Sequence, residues 1–152
     1  MSLPIELWGN NIWALFHGLS CKIQEDKFLY HRDRIIYIVK SICSTLPCPD
    51  CSKDATYLLN NTNFNNIRTK EDFKLFMFNF HNSVNKKLKK PIYEYSNLDK
   101  YNNVNMDALY NNLNIIYSTK IHNPHLMGFA LNKKILFPKI MTALILIKND
   151  LL

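Results

Sequence analysis

Leu46-Pro47-Cys48-Pro49-Asp50-Cys51 decides how the chain is built, because its two prolines end one helix and begin the next. Pro47 disfavours helical backbone at Leu46, so the preceding helix has to stop there. Pro49 suits the first turn of a new helix, where its missing N–H would have had no partner in any case. Cys48 therefore falls at a helix N-terminus, with Cys51 one turn on. Unpaired N–H groups and the positive end of the helix dipole stabilise a thiolate at that place. The spacing lets the two sulfurs form a disulfide that opens and recloses by thiolate exchange. Cys48 and Cys51 are thus the candidate catalytic pair.

Working outward, apolar residues recur at helical spacing. Upstream, Phe28 to Leu46 carries a stripe through Ile35, Ile38, Val39 and Ile42, and Trp8 to Ile23 carries another through Ile12, Leu15, Phe16 and Leu19. Downstream, Asp50 to Asn60 reads as a third helix and the Asn-rich stretch to Asn66 as a loop. Thr69 is placed to cap a fourth helix whose first turn is acidic, and Phe73, Phe76, Met77, Phe80, Val84 and Leu88 keep its period up to Pro91. Tyr93 to Asn105 is polar and reads as irregular, Asp107 to Tyr117 is helix-like, and His122 to Pro124 interrupts the pattern before a last apolar segment. No stretch alternates apolar and polar residues for long enough to argue for a sheet. The expected fold is all-α: a core over residues 1–102 and a C-terminal helical extension over 103–152.

The bulk composition narrows the function classes. With 152 residues, 47% of them hydrophobic, there is material for one packed domain plus an extension. A net charge of +7 favours an anionic partner, but the lysines are dense only at Lys86-Lys87 and Lys89-Lys90, which argues against a nucleic-acid stripe. The most apolar stretch, Ile135 to Ile147, is short for a membrane span and reads as a buried or interfacial helix. Met1 to Glu6 shows no secretory pattern, so the expectation is a chain that is not secreted. Abundant Asn, Ile and Lys suit an AT-rich genome.

Two further groups carry chemistry. Trp13 and His17 lie four residues apart and share a helix face. His81, Asn82 and Asn85 place polar groups on an otherwise hydrophobic helix, with Lys86, Lys87 and Lys90 following. Buried without partners these polar groups would be costly, so they are expected to bond something polar, and the lysines suit a pyrophosphate. Cys21 and Cys43 are single and read as buried thiols, a bridge between them staying open. Structural zinc, drawing on Cys21, Cys43, His17 or His31, is the competing use of the cysteine pair. A catalytically idle interaction module is another.

Leu46 to Cys51, the run His81-Asn82-Ser83-Val84-Asn85-Lys86-Lys87-Leu88-Lys89-Lys90-Pro91, and the upstream Trp13-x-x-x-His17 together resemble the Erv/ALR family of FAD-linked sulfhydryl oxidases. The likeness is greatest to the short forms of large DNA viruses. It implies four helices with a short fifth, holding FAD beside the cysteine pair. By position it assigns Gly9, Asn10, Trp13, His17, His81, Asn82, Val84, Asn85, Lys86, Lys87, Leu88, Lys90 and Tyr101 to the cofactor, and it assigns no metal ligand. Phe78 and Tyr95 stand where many family members carry a structural disulfide, and no counterpart of the family's shuttle cysteines is found.

The same resemblance implies oxidation of a protein dithiol to a disulfide, with O2 as acceptor and hydrogen peroxide as product. Cys48 would meet the substrate, for example a thioredoxin-like viral redox protein, and Cys51 would face the flavin. It further implies a homodimer, in the cytoplasm of an infected cell or in the virion; the spread of the lysines and the hydropathy add the expectation of neither nucleic acid nor a membrane span.

Overall fold

A computed structural model describes residues 4–119 and 123–152. Met1 to Leu3 and His122, on which the leader and helix-break readings partly rest, lie outside the described residues. The described residues form α1 (Ile5–Lys22), α2 (Glu25–Cys43), α3 (Pro49–Asn60), α4 (Lys70–Lys87), α5 (Met106–Tyr117) and α6 (Met127–Ile147). Short 3-10 turns fill Phe64–Asn66, Pro124–Leu126 and Lys148–Asp150, and a longer 3-10 helix runs over Tyr95–Asn103. The fold is the expected all-α bundle with a C-terminal helical extension.

Helix α1 is the axis of the assembly. It packs against α4, α5 and the Tyr95–Asn103 segment, while α2 packs against α3 and α6. Leu15, Phe16, Leu19, Ile35, Ile38, Ile42, Phe73 and Met77 are fully or almost fully buried between them. Leu113, Ile140, Leu144 and Ile147 of the extension enter the same hydrophobic cluster, so the segments on either side of residue 102 share one core. Polar ties reinforce this. Asn112 Nδ2 donates to Asn11 Oδ1 at 3.0 Å, the Tyr110 hydroxyl donates to the Leu144 carbonyl at 3.2 Å, and the Thr45 and Tyr117 hydroxyls meet at 2.7 Å. The chain end closes on the α1–α2 corner, where Gln24 N–H donates to the Asp150 carbonyl at 2.9 Å and His31 Nε2 meets the Asp150 carboxylate at 2.6 Å.

Several elements differ from the sequence reading. Helix α2 starts three residues earlier, with Glu25 and Asp26 in its first turn, and it stops at Cys43 rather than Leu46. The Ser44 and Thr45 hydroxyls both donate to the Ser41 carbonyl, at 2.9 and 2.8 Å, satisfying the helix end before Pro47 is reached. Helix α6 continues through Pro138, although that residue removes one helical hydrogen bond and crowds the carbonyl four residues back. Tyr95 to Asn103, read as irregular, is a 3-10 helix, and buried Leu98 and Tyr101 show the three-residue repeat of that geometry.

Phe78 and Tyr95 pack edge to face with ring centroids 5.3 Å apart. Together with Cys21, Leu98 and Tyr101 they form a small separate cluster where the resemblance would have placed a disulfide. Aromatic area replaces a covalent link.

Gly18 lets α1 approach the start of α5. A Cβ built there would sit 2.7 Å from Met106 Sδ and 3.0 Å from Val104 Cγ2. Gly18→Val is therefore expected to cost about 1–3 kcal/mol through overpacking, read as a fall in melting temperature of roughly 2–4 °C for each kcal/mol. An unchanged melting curve would show that the contact yields freely.

Candidate functional site

Helix α3 opens as the two prolines require. Cys48 is its N-cap with extended backbone and Pro49 occupies the first turn. Cys48 Sγ accepts the Cys51 N–H at 3.2 Å, so the sulfur takes up one of the helix's unpaired donors. Ser52 Oγ accepts the Leu46 N–H at 2.8 Å, which fixes the incoming chain. Cys48 and Cys51 are joined as a disulfide, with Cα atoms 5.2 Å apart.

Behind this turn lies a cavity of about 630 Å³, within the range of about 300–1,000 Å³ usual for small-molecule sites. Cys51 is on its wall and Cys48 is not. The inner wall is apolar and aromatic, with Trp8, Trp13 and Phe16 from α1 and Phe80 from α4. Polar groups converge from α4 and the following segment: His81, Asn85, Lys87, Lys90 and Lys100. Such a site suits a flat, largely apolar molecule that carries negative charge at one end.

Of the other residues singled out from sequence, Gly9, Asn10, Val84, Leu88 and Tyr101 also line the cavity. His17, Asn82 and Lys86 do not reach its wall. Asn82 is occupied with Tyr93, accepting its N–H at 2.8 Å and donating to its carbonyl at 3.2 Å, and so presents Tyr93 to the cavity. Asn85 Nδ2 donates to the Pro91 carbonyl at 3.2 Å. Lys90 N–H donates to the Asn85 carbonyl at 2.8 Å, in a turn that puts Lys89 at φ 57° and swings Lys90 and Pro91 back over the site. Lys86 is exposed.

His17 stands one layer behind His81, its Nε2 2.8 Å from His81 Nδ1. The Trp13 and His81 rings stack at 3.9 Å, 7° from parallel, and His17 stacks on Tyr101 at 4.9 Å. Burial, then the charges of His81 and Lys100, hold the His17 pKa down at about 3. Burial, then Lys100 and Lys90, hold that of His81 at about 4. Both rings are therefore neutral near pH 7 and share one proton across the contact. His17 Nδ1 is buried with no partner. A buried N–H is costlier to orphan than an acceptor, so His17 donates from Nε2 and His81 keeps its own proton on Nε2.

A stability consequence follows from these two rings. In the unfolded chain each histidine takes up a proton near pH 6.5, whereas the folded protein resists until about pH 4 and about pH 3. Their contribution is thus fully present above pH 6.5 and is lost progressively as pH falls toward 4 and below. Melting temperature should fall across that window, and His17→Phe should flatten the fall. A variant as acid-sensitive as the parent would remove the histidine pair as its cause.

Asp54, Tyr93 and Lys100 line the cavity and were not singled out from sequence. Asp54 follows Cys51 by three residues on α3, so the helical period could have found it. It pairs with Lys87 at 2.7 Å, linking α3 to α4 beside the cavity. Tyr93 and Lys100 arrive through the segment read as irregular, where no period marks a face. Lys100 Nζ donates to the Tyr93 hydroxyl at 3.1 Å and lies 5.1 Å from the centre of the Tyr101 ring.

Cys21 and Cys43 are free and buried. Burial raises both thiol pKa values, and the two residues sit in different clusters, so they are not bridged. Among the described residues no three His, Cys, Asp or Glu side chains converge as a metal site. No helix there is long and apolar enough to cross a membrane.

Comparison with known proteins gives a consistent result. The profile of the Erv1/Alr family matches residues 10–104. A protein of Invertebrate iridescent virus 3 named as an FAD-linked sulfhydryl oxidase is 32% identical over 92 residues, covering 60% of this chain and 62% of its own length. The match thus spans less than two thirds of that relative. The FAD-linked sulfhydryl oxidase of African swine fever virus (Tick/Malawi isolate) is 30% identical over 107 residues, covering 70% of this chain and 86% of its own. No solved structure gives a significant match.

Proposed function

The chain belongs to the Erv1/Alr family, and from that premise we propose that it is an FAD-dependent thiol oxidase whose redox centre is Cys48–Cys51. The observation that carries this reading is the division of the pair: Cys51 lines the aromatic cavity and Cys48 stands outside its wall. A substrate thiolate attacks Cys48 Sγ, forming a mixed disulfide, and Cys51 leaves as a thiolate on the cavity side. The substrate's second thiolate then attacks the mixed disulfide. Substrate leaves oxidised by two electrons and the cysteine pair remains reduced.

The cavity's residues fit FAD. Trp13, His81 and Tyr101 offer planes for its rings, His81 Nε2–H a donor, and Lys87, Lys90 and Lys100 positive charge for its phosphates. When bound, the flavin supplies a two-electron acceptor for the cysteine pair and a route to O2 with hydrogen peroxide as product. His17 acts through His81, fixing which of its nitrogens carries the proton. The reading includes a protein dithiol as substrate, of thioredoxin-like type. It also includes a homodimer. The viral sources of the relatives support a place in the infected cell's cytoplasm or the virion.

The test is the visible spectrum of the purified protein, followed by oxygen consumption on adding a dithiol. A flavin band with oxygen uptake and peroxide in equal amounts supports the proposal. A colourless protein that takes up no FAD sinks it.

A further inference from the structure

Helix α6 has two apolar sides and only one of them is covered. Ile140, Ala143, Leu144 and Ile147 lie in the core, while Met127, Leu131, Ile135, Ile145 and Leu146 are each at least half exposed. At 100° per residue these five share one outward face along the 21-residue helix. Pro138 and Thr142 fall within the same stripe. Pro138 has no N–H, and the Thr142 hydroxyl is committed to the Pro138 carbonyl at 2.9 Å, so neither adds an unpaired donor. An exposed apolar stripe of this length marks an interaction surface.

Charge identifies the partner. From Asn123 to Asn149 the sequence contains no Asp or Glu, but it contains Lys133, Lys134, Lys139 and Lys148. Lys133 donates to the Thr119 carbonyl and Lys148 pairs with Asp107. Lys134 and Lys139 are exposed and stand about 140° apart around the helix, one on each flank of the stripe. Arg34 of α2 joins Lys139 along a shallow groove beside Pro138. A second copy docked here would bring these cations against their equivalents with no carboxylate on either copy of α6 to oppose them. An anionic lipid surface supplies both an apolar boundary for the stripe and opposing charge for its flanks.

We propose that the outer face of α6 is a peripheral docking surface for an anionic lipid bilayer, with the helix lying in the headgroup plane and its apolar stripe turned inward. The helix is not of a kind to span the bilayer, and the proposal is independent of the oxidase reading.

The experiment is flotation of the full-length protein with vesicles of phosphatidylcholine alone and with about one quarter phosphatidylserine. The protein should float with the anionic vesicles and be released as salt is raised. Lys134→Gln/Lys139→Gln should weaken partitioning about 25-fold, roughly five-fold for each lysine. Leu131→Gln/Ile135→Gln/Ile145→Gln should abolish it at every salt concentration without lowering the melting temperature, since these side chains face outward. No flotation, or flotation indifferent to both variants, overturns the proposal. So does a dimer that the triple variant dissociates while the parent never floats, because the face would then be a contact between copies of the chain.

Discussion

Serine at either Cys48 or Cys51 is expected to bring dithiol-driven oxygen uptake down to the rate without enzyme, and the two variants should then differ in the chemistry of the cysteine that is left. Serine cannot take part in thiolate exchange, so neither single variant can cycle. In Cys51→Ser, the lone Cys48 sits at the N-cap of α3, where the helix terminus favours the thiolate. It should react with an alkylating reagent or a small aromatic disulfide well below the pH at which an ordinary thiol does. In Cys48→Ser, the remaining Cys51 lies on the cavity wall and should react more slowly. Cys21 and Cys43 should stay silent in both, since burial raises their thiol pKa values. Equal labelling rates at positions 48 and 51 would overturn the assignment of Cys48 as the substrate-facing sulfur, even if both variants are inactive.

Much of this arrangement was legible because the sequence signals and the packing forces act on the same residues. The stripe of α1 (Trp8, Ile12, Leu15, Phe16, Leu19) is read from spacing and is also the face that α4 and α5 bury. Pro47 and Pro49 act through local sterics, so the start of α3 needed no tertiary information. Thr69 was readable as a cap for the same reason, and it forms a capping box with Asp72. Elements determined by distant partners were harder to read. The 3-10 path of Tyr95–Asn103 is set by Leu98 and Tyr101 packing beside α1, and with it came Tyr93 and Lys100, which spacing alone could not send to the cavity. His17 illustrates a different limit. Its four-residue offset from Trp13 placed it correctly on the helix, but only the 2.8 Å contact with His81 shows that it stands behind a residue of the wall.

Trp13 should therefore be the side chain whose loss damages both the fold and the site. Its ring stacks on His81 at 3.9 Å and packs edge to face with Phe80 at 5.3 Å and Phe16 at 6.0 Å, while one side borders the cavity. Trp→Ala at a packed position costs about 3–5 kcal/mol, and partial exposure puts Trp13 near the lower figure. At roughly 2–4 °C for each kcal/mol, the melting temperature should fall by about 6–12 °C. Removing the plane that holds His81 should also strip the flavin from the purified protein, seen as a lower ratio of visible to ultraviolet absorbance. Added FAD separates the two effects. Free ligand at 100 times its dissociation constant stabilises a binding protein by about 2.7 kcal/mol, so FAD should raise the melting temperature of the parent and leave that of Trp13→Ala nearly unmoved. Trp13→Phe, which keeps a plane over His81, should recover most of the ligand-induced rise. If Trp13→Ala responds to FAD as strongly as the parent does, Trp13 belongs to the core and not to the flavin site.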